Sequence, residues 1–298
     1  MNRKSCILCN NPKLGVISSH VRDSKKYKVV KCLKCGHAQI FPIPKKDEDK
    51  KFYDEDRQAK NINYCKGITE LKKKTKEDTL RRVKLINKFT PKNGSVLEIG
   101  SGYGFFLEEV RKHGHKVIGI EISNERREYS KKITNVKVLN VNLNEQILSI
   151  GKFDTIALFQ VLEHIIDPVI FLKNITKLVK PNGKVIIEVP NFNDFQLELN
   201  KAYSEWYWQR AHIHYFSPKM LKHVLLCAGF KTRILGIQRY SIENMISWKL
   251  TNHPQLNDPT YNLPKEYDWI EKHYKKHLEK YLICDTLVAI GTQILKNN

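Results

Sequence analysis

Two C-x-x-C pairs stand near the start of the chain, Cys6-Ile7-Leu8-Cys9 and Cys32-Leu33-Lys34-Cys35, with Gly36 after the second. Each pair lets two thiolates reach one ion, and four soft sulfur ligands close a tetrahedral site that favours Zn²⁺. With every position filled by Cys6, Cys9, Cys32 and Cys35, such a zinc has no open coordination site and is structural. Further along, His164 and the pair His212 and His214 in Ala211-His212-Ile213-His214-Tyr215-Phe216-Ser217 offer imidazoles. Imidazole exchanges protons near neutral pH, so these are the side chains best suited to deprotonate a nucleophile. Between them lie Trp206, Tyr207 and Trp208, aromatic faces that suit stacking on a sugar ring or base, and Arg210, which suits a phosphate. A third group is Val96-Leu97-Glu98-Ile99-Gly100-Ser101-Gly102-Tyr103-Gly104, an apolar run that ends in G-x-G-x-G. Glycines there accept positive φ and let the main chain approach a ligand, while a following helix start offers free N–H groups. The next apolar run, Lys116-Val117-Ile118-Gly119-Ile120-Glu121, ends in a carboxylate able to accept both hydroxyls of a ribose.

Such residues need a frame, and the hydrophobic pattern supplies one. From Ser95 onward, short apolar runs alternate with amphipathic segments, the pattern of a mostly parallel sheet covered by helices. Strands are expected over 95–99, 116–121, 136–140, 153–159, 184–189, 231–237 and 284–294, and helices over 104–113, 124–132, 168–179 and 218–228. Residues 1–45 form a zinc-ribbon module closed by Phe41-Pro42-Ile43-Pro44, residues 46–90 a charged helical linker, and residues 91–298 the main domain. Segments 192–215 and 240–282, the latter with a helix over 264–282, interrupt the alternation and read as insertions. In an open α/β sheet ligands sit outside the carboxyl ends of the strands, so insertions there shape a pocket.

With 298 residues, 41% of them hydrophobic, the chain can bury a full core, and no stretch has the run of about 18 apolar residues expected of a spanning helix. The start is too polar for a secretory signal, which points to the cytoplasm. Seven cysteines are too few for a disulfide scaffold in a chain this long. A net charge of +21 attracts phosphate-bearing partners, but its lysines are spread along the chain, as on a solvated surface.

The glycine turn, the carboxylate at Glu121 and the series Phe153-Asp154, Leu162-Glu163-His164, Asp167-Pro168 and Leu178-Val179-Lys180-Pro181-Asn182-Gly183 together resemble the class I S-adenosylmethionine-dependent methyltransferases, over about residues 91–295. The resemblance implies a Rossmann-like seven-stranded doubly wound sheet whose last strand is antiparallel. It also implies a cofactor site built from Glu98, Gly100, Gly102, Tyr103, Gly104, Glu121, Ile122, Asn142, Leu143, Phe159 and Gln160. Asn142 stands where the family often has an Asp for the adenine amine, and Asn182 where it usually has Gly.

Methyl transfer from a sulfonium is an in-line displacement, so much of the catalysis is alignment. His164 is the first candidate for a base, then His212 and His214. Glu163 could instead bind a divalent ion, as the same motif suggests in some quinone-precursor methyltransferases. An N-terminal zinc module joined to this domain, with the Glu188-Val189-Pro190-Asn191 strand end and the His212–Ser217 segment, resembles bacterial enzymes that methylate sugars, nucleotide-linked sugars or surface glycans. That implies oxygen methylation of a small acceptor, one that can carry phosphate. Two alternatives stand beside it: an RNA methyltransferase, which the charge suits but which lacks an N-P-P-Y or D-P-P-Y motif after the fourth strand, and a non-enzymatic zinc-ribbon adaptor. The number of subunits does not follow from the sequence.

Overall fold

The computed structural model describes residues 4–45, 48, 67–141, 143, 150–255 and 263–294. Its strands are β1 Leu14–Ser18, β2 Lys28–Cys32, β3 Ala38–Phe41, β4 Ser95–Ile99, β5 Lys116–Ile120, β6 Lys137–Leu139, β7 Phe153–Phe159, β8 Val179–Pro190, β9 His214–Tyr215, β10 Phe230–Ile237 and β11 Thr286–Gln293. The helices are α1 Ile68–Lys74, α2 Lys76–Phe89, α3 Phe105–Lys112, α4 Asn124–Thr134, α5 Pro168–Thr176, α6 Gln196–Leu199, α7 Lys201–Tyr207, α8 Pro218–Cys227, α9 Ile242–Thr251 and α10 Asp268–Tyr281.

Seven strands form the main sheet in the order β10-β11-β8-β7-β4-β5-β6. β4 pairs in parallel with β5 and β7, β5 with β6, and β7 with β8, whereas β11 runs antiparallel to both neighbours. This is the expected Rossmann-like mixed α/β fold, and β4 with β7 at its centre bring the glycine turn and the Gln160–His164 segment to the same carboxyl edge. The strands read as near-continuous apolar runs because helices cover both faces. One face packs Leu97, Ile156, Leu158 and Ile187 against α5 and α8 through Leu172, Leu221 and Leu225. The other packs Val96, Ala157, Ile186 and Val288 against Val83 and Ile86 of α2 and Phe106 and Val110 of α3.

β8 is longer than the expected 184–189, because Val179 already pairs with Phe153 and the chain bends only around Asn182 (φ +64°) and Gly183. For the same reason α5 ends at Thr176, short of the expected 179.

The N-terminal residues build a second sheet of order β1-β2-β3-β9, whose fourth strand is contributed by the segment that follows the aromatic insertion. Val21, Tyr27, Val29, Ala38 and Ile40 share a core with Tyr203, Tyr207, Trp208, Ile213, Tyr215 and Trp248. The cysteine-bearing region and the insertion therefore fold as one body. Among the described residues no helix is long and apolar enough to cross a membrane.

Candidate active site and cysteine cluster

The glycine turn follows β4 directly. Gly100, Gly102 and Gly104 take φ of +76°, +53° and +82°, but their surroundings differ. A Cβ on Gly100 would lie 2.5 Å from Val161 Cγ2, and one on Gly104 would lie 2.1 Å from Ser130 Oγ, so both glycines serve packing within the protein. A Cβ on Gly102 meets nothing within 4 Å, so this main chain borders open space. The carboxylate of Glu121, at the end of β5, accepts the Gly102 N–H at 2.7 Å through Oε2 and the Ser123 N–H at 2.8 Å through Oε1. It thereby ties the turn to the start of α4, whose N-cap is Ser123.

Around that space stand polar atoms that the described residues leave without partners: Glu98 Oε2 and Gln160 Nε2, both buried. Burial pushes the Glu98 carboxyl well above the usual range, opposed by Arg82. Ile122 presents an apolar side chain that is 49% exposed beside Glu121. Phe159 closes the floor, edge-to-face with Phe106 at 4.9 Å and beneath the Arg82 guanidinium at 4.7 Å. Tyr103 packs at right angles to Tyr129. Unpartnered polar groups, an apolar platform and accessible main chain fit the methionine, sugar and base parts of S-adenosylmethionine. Of the other expected cofactor contacts, Leu143 turns into the core and its carbonyl accepts Asn174 Nδ2–H at 2.9 Å, while Asn142 lies outside the described residues.

One strand over, Gln160 leaves β7 with φ +59° and a short 3₁₀ turn, Leu162–His164, follows. Glu163 is 1% exposed, and neither of its carboxyl oxygens has a hydrogen-bond partner among the described residues. Its Oε1 faces His164 Nε2 at 3.8 Å and His212 Nε2 at 3.9 Å. His164 Nδ1 donates to the Ala211 carbonyl at 2.7 Å, so in the neutral ring Nε2 carries the lone pair towards Glu163. Burial pushes Glu163 up to about 8, with Glu188 adding to it, and pushes His164 down to about 4. Burial and the neighbouring His164 likewise hold His212 well below the ordinary histidine range. Burial thus favours the uncharged form of each of the three groups, a carboxyl between two imidazoles.

His214 stands apart from this trio. It is buried against Phe216 and bonded to His37 and to the Ile165 carbonyl. Tyr207 and Trp208 are 6% and 4% exposed within the core shared with the cysteine region. The Tyr207 hydroxyl and the Trp206 Nε1–H nevertheless lack partners among the described residues. Arg210 lies over the Tyr27 ring at 5.6 Å, and its main-chain N–H binds Asp23.

Sequence reasoning passed over the ionic frame behind the floor. Glu188 of β8 is fully buried, bonded to Arg82 and, at 2.8 Å, to Arg81 of α2. Burial alone would raise its pKa, but the two guanidiniums hold it at about 2. Asp78 in turn joins Arg81 at 2.8 Å and Arg239 at 2.6 Å. The signal was present, since a charged residue inside Val185-Ile186-Ile187-Glu188-Val189 demands a buried partner.

The four cysteine sulfurs converge as their spacing predicts, all lying within 4.8 Å of one another. Cys6 and Cys35 Sγ are 3.6 Å apart, as are Cys9 and Cys32 Sγ. Tetrahedral bonds of about 2.3 Å place sulfurs about 3.8 Å apart, so the cluster matches a Zn²⁺ site in donor type and size. Burial opposes ionisation of Cys32, yet the N–H groups of Cys35 and Lys34 and the amide of Asn11 outweigh it and bring this thiol to about 6. Hydrogen bonds of this kind favour the thiolate a metal needs.

A family model described as "Methyltransferase domain" matches residues 71–233. A ubiquinone biosynthesis O-methyltransferase of Coxiella burnetii is 34% identical over 118 residues, which make up 38% of this chain and 50% of that protein. A protein of the same name from Pelagibacter ubique is 27% identical over 61% of this chain and 80% of its own. The chain spans about half the length of the first of these curated relatives. The crystal structure of a SAM-dependent methyltransferase from Archaeoglobus fulgidus superposes with a TM-score of 0.51 at 20% identity, covering 73% of this chain and 94% of that one, a likeness of fold. With the matched model covering more than half of the sequence, the chain belongs to the methyltransferase domain family.

Proposed function

We propose that the protein is an S-adenosylmethionine-dependent methyltransferase that methylates an oxygen of a small hydroxylated acceptor of the carbohydrate type, free or linked to a nucleotide. The observation that carries this reading is Glu163, a buried carboxyl with no partner among the described residues, set between two neutral imidazoles beside the glycine turn. When bound, S-adenosylmethionine supplies an electrophilic methyl group. Gly102 and Glu121 would hold it at the carboxyl edge of β4 and β5, with Phe159 and Gln160 beside it. An acceptor hydroxyl entering over the Leu162–His164 turn donates its proton to the cluster. His164, its Nδ1–H fixed on Ala211, offers Nε2 as the recipient of that proton, and Glu163, 3.8 Å away, is the group that faces the resulting imidazolium. The names of the curated relatives, which are O-methyltransferases, support oxygen as the methylated atom. The uncharged cluster supports a neutral hydroxylated acceptor, and Arg210 is the group for a phosphate on a nucleotide-linked one.

A second reading of the same trio has its own observation. Glu163, His164 and His212 bring one oxygen and two nitrogens within 4.8 Å of one another, a donor set suited to a divalent ion. Bound there, an ion would polarise the acceptor oxygen and remove the need for a protein base. Transfer of labelled methyl from S-adenosylmethionine to nucleotide sugars, dihydroxybenzoates and bulk RNA, with and without Mg²⁺ or Mn²⁺, tests both. Labelled nucleotide sugar without added metal is the expected result, metal-dependent labelling favours the second reading, and labelled RNA alone overturns the acceptor assignment.

A further inference from the structure

We propose that His37 of the cysteine region is a positioning residue for the turn that carries Glu163 and His164, acting through His214. The inference rests on the proposed role of that turn, and goes beyond it by linking the turn to the cysteine cluster. The segment 211–214 is laced to the turn by three hydrogen bonds: His164 Nδ1–H to the Ala211 carbonyl at 2.7 Å, Ile213 N–H to the Glu163 carbonyl at 2.9 Å, and His214 Nε2–H to the Ile165 carbonyl at 2.9 Å. That segment runs into β9, the outer strand of the sheet built by the cysteine region, with Ala38 opposite Tyr215, Gln39 opposite His214, and Ile40 N–H donating to the Ile213 carbonyl at 3.1 Å.

His37 completes the connection. Its main-chain N–H lies on the Cys35 sulfur, and its carbonyl accepts the Cys32 N–H at 2.8 Å. Its ring Nε2 meets His214 Nδ1 at 2.9 Å, and both rings are buried, at 0% and 1% exposed. A carbonyl only accepts, so His214 Nε2 carries the proton given to Ile165. In a neutral His214 ring, Nδ1 is then the lone pair that receives His37 Nε2–H. His37 Nδ1 is left as a buried lone pair with no partner among the described residues, a cost the fold bears to keep a donor on His214. The path Cys35, His37, His214, Ile165 therefore fixes the tautomer of one ring and the placement of the turn behind Glu163. An apolar residue at position 37 would keep a contact with Phe216 but would remove the N–H that His214 Nδ1 receives.

The test compares zinc-loaded wild-type protein with His37→Leu and His37→Gln, since the Gln amide nitrogen can replace Nε2–H. Zinc content and affinity for S-adenosylhomocysteine are measured alongside. Amide exchange at Ile213 and Ile165 is expected to rise at least tenfold in His37→Leu and to stay within about twofold in His37→Gln. Long-range proton–nitrogen spectra should show the His214 ring losing its Nε2–H form only in the Leu variant. Wild-type exchange and an unchanged His214 tautomer in a zinc-loaded His37→Leu protein would overturn the proposal. Should His37→Leu lose its zinc, His214→Phe, which keeps an aromatic ring against Phe216 and lies outside the tetrad, must show the same faster exchange, and its failure to do so overturns the proposal equally. If S-adenosylhomocysteine binds none of the proteins, the methyltransferase reading falls, while the exchange and tautomer data still decide the link.

Discussion

Gly102 and Gly104 sit two residues apart in the same turn, both with positive φ, yet an added methyl group should separate them cleanly. For either, alanine in the left-handed region costs about 1–2 kcal/mol, so the backbone term largely cancels in the comparison. At Gly104 the new Cβ would lie 2.1 Å from Ser130 Oγ and 2.8 Å from Thr134 Cγ2, both on buried faces of α4, and overpacking adds about 1–3 kcal/mol. At Gly102 it meets nothing within 4 Å, so no packing cost is added. For a domain of this size a loss of 1 kcal/mol lowers Tm by about 2–4 °C. Gly102→Ala should therefore melt about 2–8 °C below wild type, and Gly104→Ala clearly lower still. Cofactor binding should rank differently. If the space beside Gly102 holds S-adenosylmethionine, its methyl group displaces the ligand, and affinity for S-adenosylhomocysteine should fall at least tenfold, about 1.4 kcal/mol. Differential scanning fluorimetry and calorimetric titration of the folded variants measure the two effects. A Gly102→Ala protein that binds with wild-type affinity would refute the assignment of that space to the cofactor.

Four further outcomes follow from the structure. Glu163 carries a raised pKa in the folded chain, so its contribution to stability is intact below about pH 4.5 and is lost as pH rises towards about 8; Glu163→Gln should flatten that slope in urea-unfolding measurements and be more stable than wild type at pH 8, with loss of turnover. His164 is shifted the opposite way, so its contribution is present above about pH 6.5 and lost as pH falls through about 4, and His164→Asn should retain stability in that acid window where wild type loses it. Removing Arg82 leaves Glu188 buried with Arg81 as its remaining partner, and Arg82→Leu should cost about 3 kcal/mol in denaturant unfolding, partly restored by Glu188→Leu in the same chain. Elemental analysis should find one zinc per chain, and Cys32→Ala should lose it together with protection of the Val29, Ile40 and Tyr215 amides, because these residues share one core.

The sheet could be read from the chain because its strands are short apolar runs bounded by glycine and proline, as at Val185–Val189 before Pro190-Asn191, and the antiparallel last strand followed from the resemblance carried by the glycine turn. The cysteine tetrad was equally plain, since C-x-x-C spacing is a local property. The second sheet was not legible, because β9 has only two residues and pairs with a strand far away in sequence, a tertiary choice no local pattern announces. That pairing explains why the aromatic run at Trp206–Trp208, expected over a pocket, lies largely in the core beside Tyr27 and Tyr215. It also separates His214 from His212: His214 sits on β9 and bonds the Ile165 carbonyl, whereas His212 lies in the loop before the strand and faces Glu163. Helix α9 was hidden in an insertion whose polar residues, among them Glu243 and Asn244, mask its apolar side.

The central claim, that this fold holds S-adenosylmethionine between the glycine turn and Glu121, is tested most directly by calorimetric titration of S-adenosylhomocysteine into the wild-type protein and Glu121→Ala. The account predicts micromolar binding to wild type that weakens at least tenfold when the carboxylate is removed, as expected from the loss of about 1.5–3 kcal/mol for a charged acceptor. Absence of binding to the folded, zinc-loaded wild type would contradict it and leave the chain a methyltransferase fold without the cofactor's chemistry.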